Sequence, residues 1–333
     1  MLRMISALAV ALPLMLVVAA CGGDDDDTSA PTTFPTSSDP SRNIPPEDRQ
    51  PVNLVVAASD LFVGENNFVF GMTDENDEPI GGAKAKATFF DLREAGKPKP
   101  VFTVDAIESA PGVGETVSHV HSDGATHEHG GEDEDRVAYF SAAIFDYAGF
   151  WGVLVEATLE DGTEVSGNVG FTVNEEAALL VPGDEALASD NLTRSDVDDI
   201  SEIDSGTTPN DMHEVKIKDA LVAGRPLVIV FATPGFCVSR FCGPVTEEVE
   251  ALHDIYKDRV DFVHIEIWRD FDAQKLNETA TEWLLWPDGH LVEPFVYAID
   301  KNGVIYDRWE GPAARNIMEP SVQAIAEGKT YGQ

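Results

Sequence analysis

Basic residues are scarce in this chain: 22 lysines and arginines stand against 60 aspartates and glutamates, for a formal charge of −38 over 333 residues. Such a surface repels phosphate backbones and anionic headgroups, which argues against nucleic acid as a partner and against charge-driven membrane binding. Cysteine is scarcer still, with three in the whole chain. That is too few for a disulfide-built scaffold, and no two of them are spaced C-x-x-C. Long apolar runs are missing as well. The longest, Ala7–Ala20, falls short of the roughly 20 residues that span a bilayer.

What that run does carry is a secretory layout: Arg3 near the start, the apolar stretch, then Val18-Ala19-Ala20-Cys21. Small residues just before a cysteine resemble the bacterial lipobox. The resemblance implies cleavage before Cys21, acylation of its thiol, and a mature chain lipid-anchored in the cell envelope on the extracytoplasmic side. Disulfides persist there. Residues 22–51 begin Gly-Gly-Asp-Asp-Asp-Asp and continue rich in Pro, Ser and Thr. This composition buries no core and reads as a disordered tether.

Residues 52–174 read as all-β. Seven short β-branched and aromatic runs begin at Asn53, Asn67, Ala83, Pro100, Val137, Trp151 and Val165. Turn clusters such as Asp74–Pro79 and Glu160-Asp-Gly162 separate them. The pattern predicts an immunoglobulin-like sandwich. Gly64-x-Asn66-Asn67-Phe68-x-Phe70-Gly71 and Asp146-x-x-Gly149-x-Trp151-Gly152 resemble the small envelope domains called YtkA-like or FixH-like. Within this part, His119, His121, His127 and His129 place half of the eight histidines in eleven residues. Paired H-x-H imidazoles suit Cu or Zn, making this loop a candidate metal site. A polar loop with incidental histidines is the plainer alternative.

Residues 175–213 show little periodicity and read as an acidic linker and lead-in. Asp196, Asp198, Asp199, Glu202 and Asp204 lack the spacing of a calcium loop, so they are expected to be solvated. From 214 the pattern alternates strand and helix, the sign of an α/β layer fold. The expected elements are a helix at Lys218–Ala223, strands at Pro226–Phe231 and Asp261–Trp268, and a helix near Ala273–Leu285. A hairpin at Pro294–Ile299 and Val304–Trp309 follows, then a last helix opened by Pro320.

Between the first of these strands and a helix through Val245, Val249, Leu252 and Tyr256 lies Thr233-Pro-Gly-Phe-Cys237-Val-Ser-Arg-Phe-Cys242-Gly-Pro244. Thiols at a strand-to-helix junction sit near free backbone N–H groups and the positive end of the helix dipole, which favours a reactive thiolate. Five helical residues span about 7.5 Å, more than the roughly 4.4–6.8 Å between bridged Cα atoms. A bridge therefore needs either Cys237 in the loop ahead of the helix or an unwound first turn, and the first is favoured. That arrangement makes Cys237 the attacking thiol and Cys242 its resolving partner, with the reverse assignment also open. A purely structural staple is the competing reading, but so short a loop gains little from closure.

The element order, Phe231-Ala-Thr233, Cys242-Gly-Pro244 and Glu293-Pro294 resemble the thioredoxin-like superfamily over 214–333. The resemblance implies a thioredoxin-like α/β fold and thiol–disulfide exchange with envelope proteins, no cofactor required. It also implies a cis Pro294 lying against the redox cysteine and holding the partner strand. Trp283 and Trp286 are candidates to line the site. The C-x4-C spacing departs from the thioredoxin motif and resembles peroxiredoxins of the bacterioferritin-comigratory type, although a residue is inserted before Cys237. A third resemblance is to the Sco copper-assembly factors, with His290 as the nearest histidine, which implies copper binding or delivery without catalysis.

Overall fold

The computed structural model describes residues 49–333 except 95–96, 113–116, 121–125, 130–136 and 237–240, with backbone alone for 117–120 and 126–129. The signal segment, Cys21, the tether to residue 48, His121 and Cys237 lie outside the described residues.

The chain is mostly β. Its first part contributes β1 (Gln50–Pro51), β2 (Asn53–Val56), β3 (Gly64–Thr73), β4 (Lys84–Asp91), β5 (Lys99–Ser109), β6 (Val117–Val120), β7 (Thr126–His129), β8 (Ala138–Phe145), β9 (Gly149–Thr158) and β10 (Glu164–Val173). Eight of these form one sheet in the order β1-β10-β9-β4-β5-β8-β3-β2. β5 turns the corner, pairing with β4 up to Ala106 and with β8 from Ile107. The sheet thereby folds over itself into a β-sandwich. Phe68 of β3 meets Phe89 of β4 at 5.0 Å and Phe171 of β10 at 4.9 Å, though β3 is hydrogen-bonded to neither strand. Fully buried Phe145 and Trp151 complete this aromatic core. Gln50–Pro51, counted with the tether from sequence, already pair in parallel with β10.

The second part contributes α1 (Ile217–Ala223), β11 (Leu227–Phe231), α2 (Cys242–Tyr256), β12 (Asp261–Ile265), β13 (Trp268–Asp270), β14 (Lys275–Leu276), α3 (Glu278–Leu284), β15 (Phe295–Ile299), β16 (Ile305–Glu310) and α4 (Arg315–Ala326). Its four-stranded sheet runs β12-β11-β15-β16, with β12 parallel to β11 and the other pairs antiparallel. β11 is buried along its whole length because both faces are covered. Val228 and Val230 share a cluster with Val245, Val249 and Leu252 of α2 and with Met318 and Val322 of α4. Leu227, Ile229 and Phe231 share another with Ile217 of α1 and with Ala280 and Trp283 of α3. This two-sided burial explains a continuous apolar strand. Gly224 ends α1 at φ +66°, a left-handed cap that suits glycine.

Three expectations in this part are corrected. The strand from Asp261 ends at Ile265, because the chain then turns into the β13–β14 hairpin. That hairpin takes the residues expected to start a helix at Ala273, so α3 begins only at Glu278, capped by the Asn277 side chain. Pro320 lies inside α4 rather than opening it. A proline there removes one helical hydrogen bond without ending the helix.

Residues 175–213 are irregular yet packed. Leu179, Ile203 and Met212 are buried, and Asp204, expected in solvent, is 2% exposed. The segment joins the two parts. Val69, Ala138 and Phe140 of the sandwich also share a buried cluster with Trp309 and Met318. Across the same seam Ser109 Oγ donates to the Pro312 carbonyl at 2.7 Å and accepts from the Ala314 N–H at 2.8 Å. Among the described residues no helix is long and apolar enough to cross a membrane.

Candidate functional site at the strand ends

Register fixes where the site lies. Phe231, the last residue of β11, is paired with Ile265, the last of β12, and with Phe295, the first of β15. The residues just beyond these ends therefore meet at one edge of the sheet: Ala232 and Thr233, Glu266, and Glu293-Pro294. In open α/β sheets the carboxyl ends of parallel strands are where chemistry is placed.

Cys242 opens α2 at this edge, is fully buried and is disulfide-bonded. It shares a cluster with Ala232, Met212 and Val245. Because the helix starts at Cys242 itself, a bridge to a residue five positions earlier does not have to run along a regular helix. The Glu293–Pro294 peptide is cis, the conformation the thioredoxin resemblance implies. Phe236, just before Cys237, is 47% exposed and stacks on Phe271 at 4.3 Å. Gly235 passes so close to Ser205 that a Cβ there would sit 2.3 Å from the Ser205 carbonyl oxygen. Only glycine fits without moving one of the two backbones.

Beneath this loop lies a buried polar network that sequence reasoning missed. The Asp204 carboxylate accepts from the Gly206 N–H at 2.8 Å, the Asn210 N–H at 3.0 Å, Asn210 Nδ2 at 2.9 Å and His213 Nε2 at 3.0 Å. Asn210 Nδ2 also reaches His264 Nδ1 at 2.8 Å, and His264 Nε2 lies 3.2 Å from the Ala232 carbonyl. These contacts assign His264 the Nε2–H tautomer and make His213 a donor through Nε2. Burial pushes the Asp204 carboxyl up, but the hydrogen bond from His213 and the nearby His264 ring, whose Nδ1 lies 3.6 Å from Asp204 Oδ2, overcome it and hold the group well below the carboxylate range. Burial lowers His213, favouring its neutral form.

Asp204, His213 and His264 hold their donor atoms within 4.8 Å of one another, a set that suits a metal ion in type. The Asn210 amide nevertheless bridges Asp204 and His264, so the residues close on each other as a hydrogen-bond network.

Next to it stands an acidic pair. Glu266 is 4% exposed; its Oε2 accepts from the Ser205 N–H at 2.8 Å, while its Oε1 has no hydrogen-bond partner. Glu293 Oε2 and Thr233 Oγ1 are likewise buried and outside strict hydrogen-bond geometry, although Thr233 stands close enough to both acids to favour their charged forms. Burial, helped by the like charge of Glu266, pushes Glu293 up to about 7. Burial also raises Glu266, against the opposing pull of His264.

The remaining sequence candidates scatter. Trp283 is core, its Nε1 donating to Ser189 Oγ at 3.0 Å. Trp286 stacks on His290 at 4.5 Å, and His290 sits in an exposed turn beside Asp288. Of the histidine loop, the β6–β7 ladder pairs His119 with His127 and Val117 with His129.

No protein-family model and no curated protein sequence matches the chain. Among solved structures, CopC from Methylosinus trichosporium OB3b aligns with a TM-score of 0.21 at 16% identity, over 38% of this chain and 95% of its own. MtrC from Shewanella baltica OS185 aligns with a TM-score of 0.23 at 14% identity, over 53% of this chain and 32% of its own. Likenesses this slight carry no weight for the chain's chemistry.

Proposed function

We propose that the chain is a thiol–disulfide oxidoreductase of the bacterial envelope, lipid-anchored through Cys21, with an immunoglobulin-like domain ahead of a thioredoxin-like one. The observation that carries this is the disulfide-bonded Cys242 at the head of α2, on the sheet edge where Glu293-Pro294 enters β15. The order β12-β11-β15-β16, with helices on both faces, supports the thioredoxin-like reading of residues 214–333. The anchor and the compartment rest on the signal sequence.

Cys242 is fully buried, so a partner protein meets Cys237 first. The Cys237 thiolate attacks a partner disulfide, forming a mixed disulfide and releasing one partner thiolate. Cys242, as thiolate, then attacks the Cys237 sulfur. The intramolecular bridge forms and the second partner thiolate leaves. The partner gains two electrons and two protons; the cysteine pair loses them. The reverse sequence oxidises a partner dithiol.

The test is the reduction potential of the pair, from free-thiol counts in glutathione buffers. A value between roughly −120 and −270 mV is expected for a working oxidoreductase, and one below about −300 mV would identify a structural staple instead.

Metal binding is the second reading, favoured by the β6–β7 register. Paired residues, and residues two apart, fall on one side of a ladder, so positions 119, 127 and 129 share a side, and β7 runs beside α2. Dialysis against Cu²⁺ or Zn²⁺ is expected to load about one ion per chain, by the affinity of paired imidazoles for these ions. Equal loading of a His119→Ala/His127→Ala variant would remove the hairpin from consideration.

A further inference from the structure

Where the edge of the second sheet meets the sandwich, the seam leaves a cavity of about 390 Å³. That is the size of a small-molecule site, and domain seams are a usual place for one. One wall is the edge strand β16, which lends Tyr306, Asp307, Arg308 and Glu310. The facing wall is β3 and β8, and Asn67 of β3 joins the two by donating to the Arg308 carbonyl at 2.9 Å. Four carboxylates line this space, Asp60, Glu65, Asp307 and Glu310, against one cation, Arg308. Arg308 is committed to Asp60 at 2.8 Å. The printed partners of Asp307 are the Ser321 hydroxyl, the Asn67 amide and the Arg308 N–H. Those of Glu310 are the Ser59 N–H and hydroxyl and the Asp60 N–H. All of these donors are neutral, and burial raises both carboxyls against them and against the nearby charge of Arg308. Tyr297 Oη, fully buried, also closes no hydrogen bond. Its strand partner is Arg308, two residues from the Phe295–Glu310 pair, so its side chain points to the cavity's side of the sheet.

We infer that this cavity binds an extended organic cation, an aliphatic diamine or polyamine. An anion is repelled by carboxylates that outnumber the one guanidinium. A neutral ligand would take those carboxylates from water without supplying charge in return. A metal ion needs oxygens that converge on a point. Among the described residues only Asp204, His213 and His264 bring three such atoms within 4.8 Å of one another, so the cavity's carboxylates are too far apart. Ammonium groups on a methylene chain meet separated carboxylates one by one. The chain itself has apolar walls to lie against, in Phe295 and Ile144. The rings of Tyr306 and Tyr331, which also line the cavity, suit an ammonium through cation–π attraction. A free basic amino acid is the poorer fit, because its own carboxylate would join the acids. The site is independent of the thiol–disulfide reading.

The test is calorimetric titration of the whole protein with putrescine and with spermidine at about 0.15 M salt, where exposed charges are largely screened. Saturable binding of about one spermidine per chain is expected, and none of butane-1,4-diol, which keeps a methylene chain but lacks the charge. Glu310→Gln and Glu65→Gln should each weaken spermidine binding about tenfold, the worth of one charged hydrogen bond. Glu75→Gln removes the same charge from the exposed turn between β3 and β4, outside the cavity, and should leave binding unchanged. Ala142→Trp fills the cavity from an exposed position and should abolish binding. Circular dichroism checks that each variant folds; Glu65 and Ala142 are exposed, so those two keep the test open if Glu310→Gln does not fold. Equal weakening by Glu75→Gln, or many weak sites that vanish with added salt, would show counter-ion attraction to an acidic chain and overturn the site. Full binding by Ala142→Trp would overturn the cavity as its place. Binding of Ca²⁺ instead of spermidine, weakened by the same variants, would overturn the organic class.

Discussion

Replacing Asp204 with alanine is expected to destabilise the protein by about 3–5 kcal/mol, the cost of removing one side of a buried charged network. The carboxylate is the only acceptor shown for the Gly206 and Asn210 N–H groups and for His213 Nε2. Each donor left dry costs about 1–3 kcal/mol, and relaxation of the loop recovers part of the total. The damage reaches the site, because the adjacent Ser205 holds both the Gly235 N–H and Glu266. Asp204→Asn keeps the shape and one acceptor, and should lose less. Urea unfolding checks both, and a loss below about 1 kcal/mol for the alanine variant would mean the loop is held by packing alone. The pH dependence has a definite sign. The folded carboxyl titrates below its unfolded value near 3.9, so its stabilisation is complete above that value and drains away as pH falls through it.

None of this was legible at Asp204. It stands among Asp196, Asp198, Asp199 and Glu202 in a run without periodicity, where local pattern says solvent. What buries it are His213, nine residues away, and Asn210 linked to His264, 54 residues further on. Such long-range partners leave no local trace. His264 did carry a signal that went unread. It alternates with Val263 and Ile265 on a strand covered on both faces, so its imidazole had to be buried and partnered. Glu293 was noticed only as the residue before Pro294. The groups that act on its carboxyl, Glu266 and Thr233, arrive from the ends of two other strands.

Strands with a covered and an open face were plain in the sequence. The seven expected β runs all lie within observed strands or overlap them, because alternation and turn residues are local properties. The turn at Glu160–Gly162 closes as anticipated, with Asp161 accepting from the Thr163 N–H at 2.8 Å. The corner at β5 was not readable, since which strands its two ends choose is decided by sheet closure. Cys242 stood out in the sequence because cysteine is rare here and its junction between apolar strand and amphipathic helix is a local motif, and α2 does start at it.

Arg308→Ala should cost about as much as the loss of Asp204, roughly 3–5 kcal/mol, and for a related reason. Arg308 projects from β16, 11% exposed, and donates to Asp60 Oδ2 at 2.8 Å, with Asp60 itself 1% exposed. Its guanidinium also reaches the carbonyls of Leu180 and Asp60 and lies 5.3 Å from the centre of the Phe62 ring. Asp60 accepts from the Ala178 and Leu179 N–H groups too, so one ion pair ties the sandwich, the irregular segment and the second sheet together. Without the cation, Asp60 is left as a buried charge in a chain already at −38. Lysine should rescue poorly, because a single ammonium cannot serve a carboxylate and two carbonyls in a planar fork. In an Arg308→Ala/Asp60→Ala cycle, removing both partners should cost less than the sum of the single losses, since the stranded charge disappears with its partner. Additive losses would show that the two residues act independently. If the seam is what makes the halves unfold together, Arg308→Ala should also split a single unfolding transition into two, one for each sheet.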